Sequence, residues 1–391
     1  MPAVVFHSSS RCVAHFNCRI SELKFQIRKI KISNVQECDA TMLNQGTKAG
    51  YIKNLLQQRI IFTMNCLKVV LVTMLFLITT TAAVAQVLVQ IPQPAAPADT
   101  LYYNAKALRF LAMGDWGRNG ADHQKEVAQQ MATTANIFYP HFIIATGDNF
   151  YPSGVVSEWD PLWKYSFEDI YTDFRLQWDW YPVLGNHDYK TNPDAQVKYS
   201  SISRRWRMPA RYYSKLLAIP GDTASKVLLL FLDTNPLIPE YYKNEEYGPN
   251  VKAADSALQK KWIAAQLAQA GANVKWKIIV AHHPMYTGGD REHGYDTRAV
   301  RASLEPLLMN EKADLYIAGH EHSLQHIYNG GSLHHFISGA ASEKTKARLI
   351  KGSLLAATAY GFMNFSITTK QVVVQTVDDT GKIIYTTIIN K

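Results

Sequence analysis

Arg109-Phe110-Leu111-Ala112-Met113-Gly114-Asp115-Trp116-Gly117 is an apolar run of strand length that halts on a glycine followed by an acid. Four apolar residues in succession, without polar alternation, describe a strand covered on both faces. The same pattern recurs along the chain. Residues 141–146 lead into Gly147-Asp148-Asn149-Phe150-Tyr151, 181–184 into Gly185-Asn186-His187-Asp188, 277–281 into His282, and 315–318 into Gly319-His320-Glu321-His322. A further run lies at 227–232. The more polar stretches between these runs are long enough for helices. The clearest is 256–270, with Asp255 as N-cap, Leu258/Trp262 and Ile263/Leu267 paired at i,i+4, and Gly271 placed to close the helix in the left-handed region. Strand-helix alternation of this kind predicts an α/β fold. Beyond residue 323 the character changes. Segments 324–328, 333–338, 361–368, 371–377 and 382–389 are β-rich, and Asn329-Gly330-Gly331 and Asp378-Asp379-Thr380-Gly381 predict antiparallel hairpins.

The 391 residues divide in composition at residue 85. Ten of the 41 Lys/Arg but only three of the 32 Asp/Glu precede residue 86, so the formal +9 becomes 31 basic against 29 acidic groups in the remainder. All four cysteines (Cys12, Cys18, Cys38, Cys66) also precede it, which excludes a disulfide framework from the main domain. A nearly neutral body removes any charge-based argument for nucleic-acid binding. From Met64, Lys68 precedes an apolar run over 69–78, and Ala83-Val84-Ala85 follows in the small-x-small form of a cleavage site. That layout predicts a signal peptide over 64–85 and export to a periplasmic or extracellular space, since the run has about half the ~20 residues of a membrane span. Residues 1–63 are then expected to be an extension preceding the true start, and 86–105, with Pro92, Pro94 and Pro97 among alanines, a linker. The domain proper is expected over 106–391, with no stable membrane span after cleavage; its oligomeric state is not legible.

The chemistry collects where the apolar runs stop, the end of an α/β sheet at which sites assemble. Asp115, Asp148, Tyr151, Asn186, His282, His320 and His322 supply two carboxylates, a phenol, an amide oxygen and three imidazoles. Seven such donors suit two transition-type ions about 3.5–4 Å apart sharing one carboxylate, whereas calcium would take more oxygens. The anionic oxygens of Asp115, Asp148 and Tyr151 favour a trivalent ion, and a phenolate in particular favours Fe(III). Asn186 and two imidazoles suit a divalent one.

In order and spacing the five blocks resemble the metallophosphoesterase superfamily, and within it the small, animal-type purple acid phosphatases. The likeness extends through Ser338-Gly339-Ala340 to the C-terminus. The generic superfamily has Asp-x-His in the first block, where Gly117 stands here; the purple branch places a tyrosine three residues after the bridging aspartate, as Tyr151 does. The resemblance implies a sandwich of two mixed β-sheets flanked by helices, with a dimetal site at the strand C-terminal ends. It implies Fe(III) on Asp115, Tyr151 and His322, a bridging Asp148, and a divalent ion (Fe(II), Zn or Mn) on Asn186, His282 and His320. His187 and His293 would be the catalytic groups facing substrate. The implied reaction is acid hydrolysis of phosphomonoesters, including phosphoproteins or nucleotides, by an Fe(III)-bound hydroxide. A phosphodiesterase or nucleotide hydrolase on the same scaffold is the alternative. Relatives carry a disulfide near a loop that covers the site; the loop here, 235–250, has no cysteine and reads as a surface loop.

Overall fold

The computed structural model describes residues 100–391; the expectations for 1–63 and 64–85, and for most of the 86–105 linker, lie outside the described residues. The apolar runs form strands. β1 (Leu108–Met113), β2 (Phe142–Ala145) and β3 (Asp179–Pro182) run parallel, in that order, as one half of a six-stranded sheet. In the second, seven-stranded sheet, β5 (Asp222–Phe231), β6 (Val274–Val280) and β7 (Leu315–Ala318) are likewise parallel, and β9 (His334–Ser338) pairs parallel to β7. Both sheets are therefore mixed. The hairpin expectation is met by β8 (Leu324–Ile327) against β9 and by β12 (Gln371–Asp378) against β13 (Ile383–Asn390), with β11 (Gly361–Ile367) pairing antiparallel to β1 and β12.

Two strands were not legible in the sequence: β4 (Tyr213–Ile219) and β10 (Ser353–Ala357), which lie at the two edges of the second sheet. Each carries a short apolar stretch, residues 216–219 and 354–357, but most of their residues are only partly covered. The α-helices among the described residues are α1 (Gln124–Phe138), α2 (Pro193–Tyr199), α3 (Gly248–Val251), α4 (Ser256–Ala268) and α5 (Tyr295–Asn310). In α4 the Asp255 carboxylate accepts from Leu258 N at 2.9 Å, the expected cap. Its other end differs from expectation: Gln269 caps it in right-handed geometry and Gly271 does not adopt positive φ. Ile263 and Leu267 are fully buried, whereas Leu258 is 55% exposed, so only the second i,i+4 pair reaches the core.

The sheets meet through Phe336 on β9 and Phe365 on β11, edge to face at 5.5 Å, and through Tyr181 on β3 and Phe231 on β5 at 5.7 Å. Phe365 also stacks on Phe110, which stacks on Phe142. Beneath the first two blocks lies a second aromatic group, Trp116, Phe150, Phe167, Trp180 and Trp206, each fully buried. It forms a rigid floor under the loops that leave β1 and β2. Because parallel strands end on the same side, β1, β2 and β3 of one sheet and β6 and β7 of the other deliver their C-terminal loops to one place.

Candidate metal centre

Asp115, Asp148 and His320 all have left-handed backbones, at φ 60°, 48° and 69°. Non-glycine residues avoid this region, and strain of this kind gathers at functional sites where the surrounding fold imposes it. The glycines serve close approach as much as turning. A Cβ on Gly185 would lie 2.1 Å from Asp148 Oδ1, and Gly147, at φ 94°, would put one 2.5 Å from His282 Nδ1.

The side chains converge. The Tyr151 hydroxyl lies 3.3 Å from Asp115 Oδ1, 3.1 Å from Asp148 Oδ2 and 3.2 Å from His322 Nε2, and His322 Nε2 is 3.5 Å from Asp115 Oδ1. On the other side of Asp148, His282 Nε2 lies 3.5 Å from Oδ1 and 3.2 Å from Asn186 Oδ1, with His320 Nδ1 3.1 Å away. All seven metal-ligand candidates thus form two groups that share Asp148. His187 joins them: its backbone N–H donates to Asp148 Oδ1 at 2.8 Å, and its Nε2 lies 4.0 Å from Oδ2. His293 is not brought to the cluster. Its loop is tied down where Arg291 N donates to Glu321 Oε1 at 2.9 Å, and His293 beyond is exposed, lining a separate cavity of about 410 Å³ with Arg301 and Lys351.

The hydrogen bonds behind the imidazoles decide what their front nitrogens offer. His282 Nδ1–H donates to the Thr146 carbonyl at 2.8 Å, leaving the Nε2 lone pair forward. His320 Nε2–H donates to Asp296 Oδ2 at 2.8 Å, leaving the Nδ1 lone pair forward. Two lone pairs thus face one another at 3.1 Å in a fully buried position beside two carboxylates. Buried acceptors so arranged require a cation between them, a proton or a metal ion. The donor set therefore fits a pair of metal ions, with carboxylate, amide, phenol and imidazole in the proportions such a pair takes.

The charges agree. Burial alone would raise the Asp148 carboxyl, but the imidazoles of His282, His187 and His320 outweigh it and hold it well below the ordinary carboxylate range. Burial, reinforced by Asp148 and Asp115, holds the Tyr151 phenol well above its usual value, so a phenolate there needs a strong local cation. Burial would lower His282, but Asp148 raises it to about 9, so without an ion a proton on Nε2 takes the place an ion would fill, and metal binding must displace it.

Several contributors were not visible in the sequence. Asp188 is no ligand. It accepts from Gly185 N at 2.9 Å and Asn149 N at 3.1 Å, locking the second and third blocks together. His283 is engaged at both nitrogens, with Thr234 Oγ1 at 2.8 Å and the Tyr241 hydroxyl at 2.9 Å, and so is unavailable to an ion. Asp296 lies in α5, a helix whose sequence gives no sign of a site. The surface-loop reading of 235–250 is corrected: Tyr241 is 2% exposed, and Asn186 Nδ2 donates to the Tyr247 hydroxyl at 3.3 Å. That bond fixes the Asn186 amide with its oxygen toward His282.

The calcineurin-like phosphoesterase profile matches residues 108–324. Purple acid phosphatase 7 of Arabidopsis thaliana is 33% identical over 73% of this chain and 87% of its own length. Tartrate-resistant acid phosphatase type 5 of Homo sapiens is 32% identical over 72% and 90%. Among solved structures, GAP50, the anchor in the inner membrane complex of Plasmodium, superposes with a TM-score of 0.62 at 24% identity, covering 73% of this chain and 89% of that one, a likeness of fold.

Proposed function

The chain belongs to the purple acid phosphatases of the calcineurin-like phosphoesterase family, and on that premise we propose that it is an exported acid phosphatase hydrolysing phosphomonoesters at an Fe(III)–divalent pair. Asp115, Tyr151 and His322 would hold Fe(III), Asn186, His282 and His320 the divalent ion (Fe(II), Zn or Mn), and Asp148 both. When bound, such a pair activates the attacking oxygen and neutralises charge on the phosphoryl group. The chain's own residues do the rest. Thr146 and Asp296 hold two imidazoles in the tautomers that leave a lone pair forward. His187 is held by its Nδ1–H, which donates to the Pro152 carbonyl at 2.6 Å, and its ring is 4.5 Å from that of Tyr151. Its free Nε2 can carry a proton to the departing alkoxide. Export is supported by the signal-like stretch over 64–85.

The observation that carries this reading is the Tyr151 oxygen set within 3.3 Å of Asp115, Asp148 and His322 together. A visible absorption spectrum of the purified protein, with metal content measured on the same sample, tests it. A broad purple band with iron present, lost in Tyr151→Phe, is expected. A colourless protein holding two divalent ions, with turnover of a bis-ester exceeding that of a monoester, would move the assignment to a phosphodiesterase.

A further inference from the structure

Arg118 follows the first block and turns back over it. Its guanidinium carbon lies 3.8 Å from the centre of the Tyr151 ring. An ion pair between its Nη1 and Asp122 Oδ2 at 4.0 Å and two closer contacts hold it there. Its Nε donates to Ser342 Oγ at 3.1 Å, and that hydroxyl donates to the Asp115 carbonyl at 2.6 Å, while Nη2 pairs with Glu343. The same Glu343 carboxylate lies 3.4 Å from His322 Nδ1, an ion-pair rather than a hydrogen-bond distance, on the ring edge opposite the nitrogen that faces Tyr151 and Asp115. The Arg118 side chain is 21% exposed and the His322 side chain 14%, whereas Glu343 is 46% exposed, so Arg118 acts through little water and Glu343 through more.

We propose that Arg118 and Glu343 are a pair of positioning residues that set the electron density of the ion held by Asp115, Tyr151 and His322. The proposal rests on the reading that this ion is iron bound through the Tyr151 phenolate. A cation over the face of an aromatic ring is attracted by its π electrons and lowers their energy. Arg118 therefore makes Tyr151 a poorer electron donor. Glu343 acts in the opposite sense, since a carboxylate behind a ligating imidazole makes that ligand more basic. Being paired, each also limits the other. A plain structural salt bridge pinning the 340–343 turn would hold the chain in place without altering the ion.

The test compares iron-loaded wild type with Arg118→Gln, Arg118→Lys and Glu343→Gln. It records iron content, the visible absorption maximum and the Fe(III)/Fe(II) potential by spectroelectrochemical titration. Arg118→Gln is expected to move the band to longer wavelength and the potential downward, and Arg118→Lys, which keeps the charge, to fall between it and wild type. Glu343→Gln is expected to move the potential upward. Opposite signs from two neighbouring substitutions are not what general loosening produces, and either variant alone carries the sign if the other fails to fold. Purple wild type with both variants at its band position and potential, at full iron content, overturns the proposal and leaves the phenolate reading standing. An iron-loaded wild type without a visible band removes both.

Discussion

Asp296 touches none of the carboxylates and yet determines which nitrogen of His320 faces them, and residues of this kind separate a cluster of donors from a working centre. Outer partners of metal-ligating histidines are typically worth about 10–100-fold in metal affinity or activity. Asp296→Asn keeps the shape but lets the amide present either a donor or an acceptor to His320 Nε2, so affinity for the second ion should fall by about 10–100-fold. Competition with a chelator measures it, and an unchanged affinity would mean that backbone strain alone orients His320. His187→Gln makes a separate prediction, since on the proposed reading its Nε2 moves a proton and binds no ion. It should lower kcat by about 100-fold or more while both metals stay bound. Metal loss in that variant would instead make His187 a ligand. At this scale the seven candidate donors were legible because a glycine or a strand end opens the block that carries each of them. Asp296, Arg118, Glu343 and Tyr247 were not, because each is an ordinary polar residue that reaches the site only through the tertiary fold.

The strands buried on both faces can be read from their unbroken apolar runs, whereas the edge strands β4 and β10 have apolar stretches of similar length, 216–219 and 354–357, whose place at a partly covered sheet edge only the fold shows. The loop over 235–250 was misread for a related reason. Its tyrosines are as polar as they are apolar, and only the fold shows the Tyr241 hydroxyl bonded to His283 in the wall of the site. Strand β9 makes the prediction that belongs to elements. Burial pushes His335 down to about 3 and His334 to about 4, against an ordinary value near ~6.5 in the unfolded chain. Between about pH 6.5 and 4 the unfolded chain binds protons that the folded chain refuses, so this contribution is complete above the window and is lost as pH falls through it. His335 Nε2 accepts from Met285 N at 3.1 Å, so protonation also removes a buried bond. His335→Gln retains an acceptor and does not titrate. The urea-unfolding difference between wild type and this variant should therefore shrink, or reverse, from pH 7 to 4.5. A pH-independent difference would show that His335 is not held neutral by the fold.

At the scale of the whole molecule, the donors come from loops of both sheets: Asp115, Asp148, Tyr151 and Asn186 follow β1, β2 and β3, while His282, His320 and His322 follow β6 and β7. An ion bound among them therefore clamps one sheet to the other at the end of the sandwich where loops, rather than core, make the contact. The carboxylates, phenol, amide and imidazoles are gathered there by the fold, so the folded state should gain from metal what the unfolded chain, with its ligands dispersed, does not. At free metal about 100 times the dissociation constant this linkage contributes about 2.7 kcal/mol. For a domain of this size that amounts to a rise in midpoint of roughly 5–10 °C. Thermal unfolding of loaded and chelator-stripped protein should show that difference, and Asp148→Asn, which removes the carboxylate shared by both groups, should abolish most of it while also lowering the stripped midpoint, since the imidazoles of His282, His187 and His320 lose the charge they stabilise. If stripped and loaded wild type unfold together although both ions are bound, the sheets do not depend on the centre to hold their loops, and the strain at Asp115, Asp148 and His320 is sustained by the protein core alone.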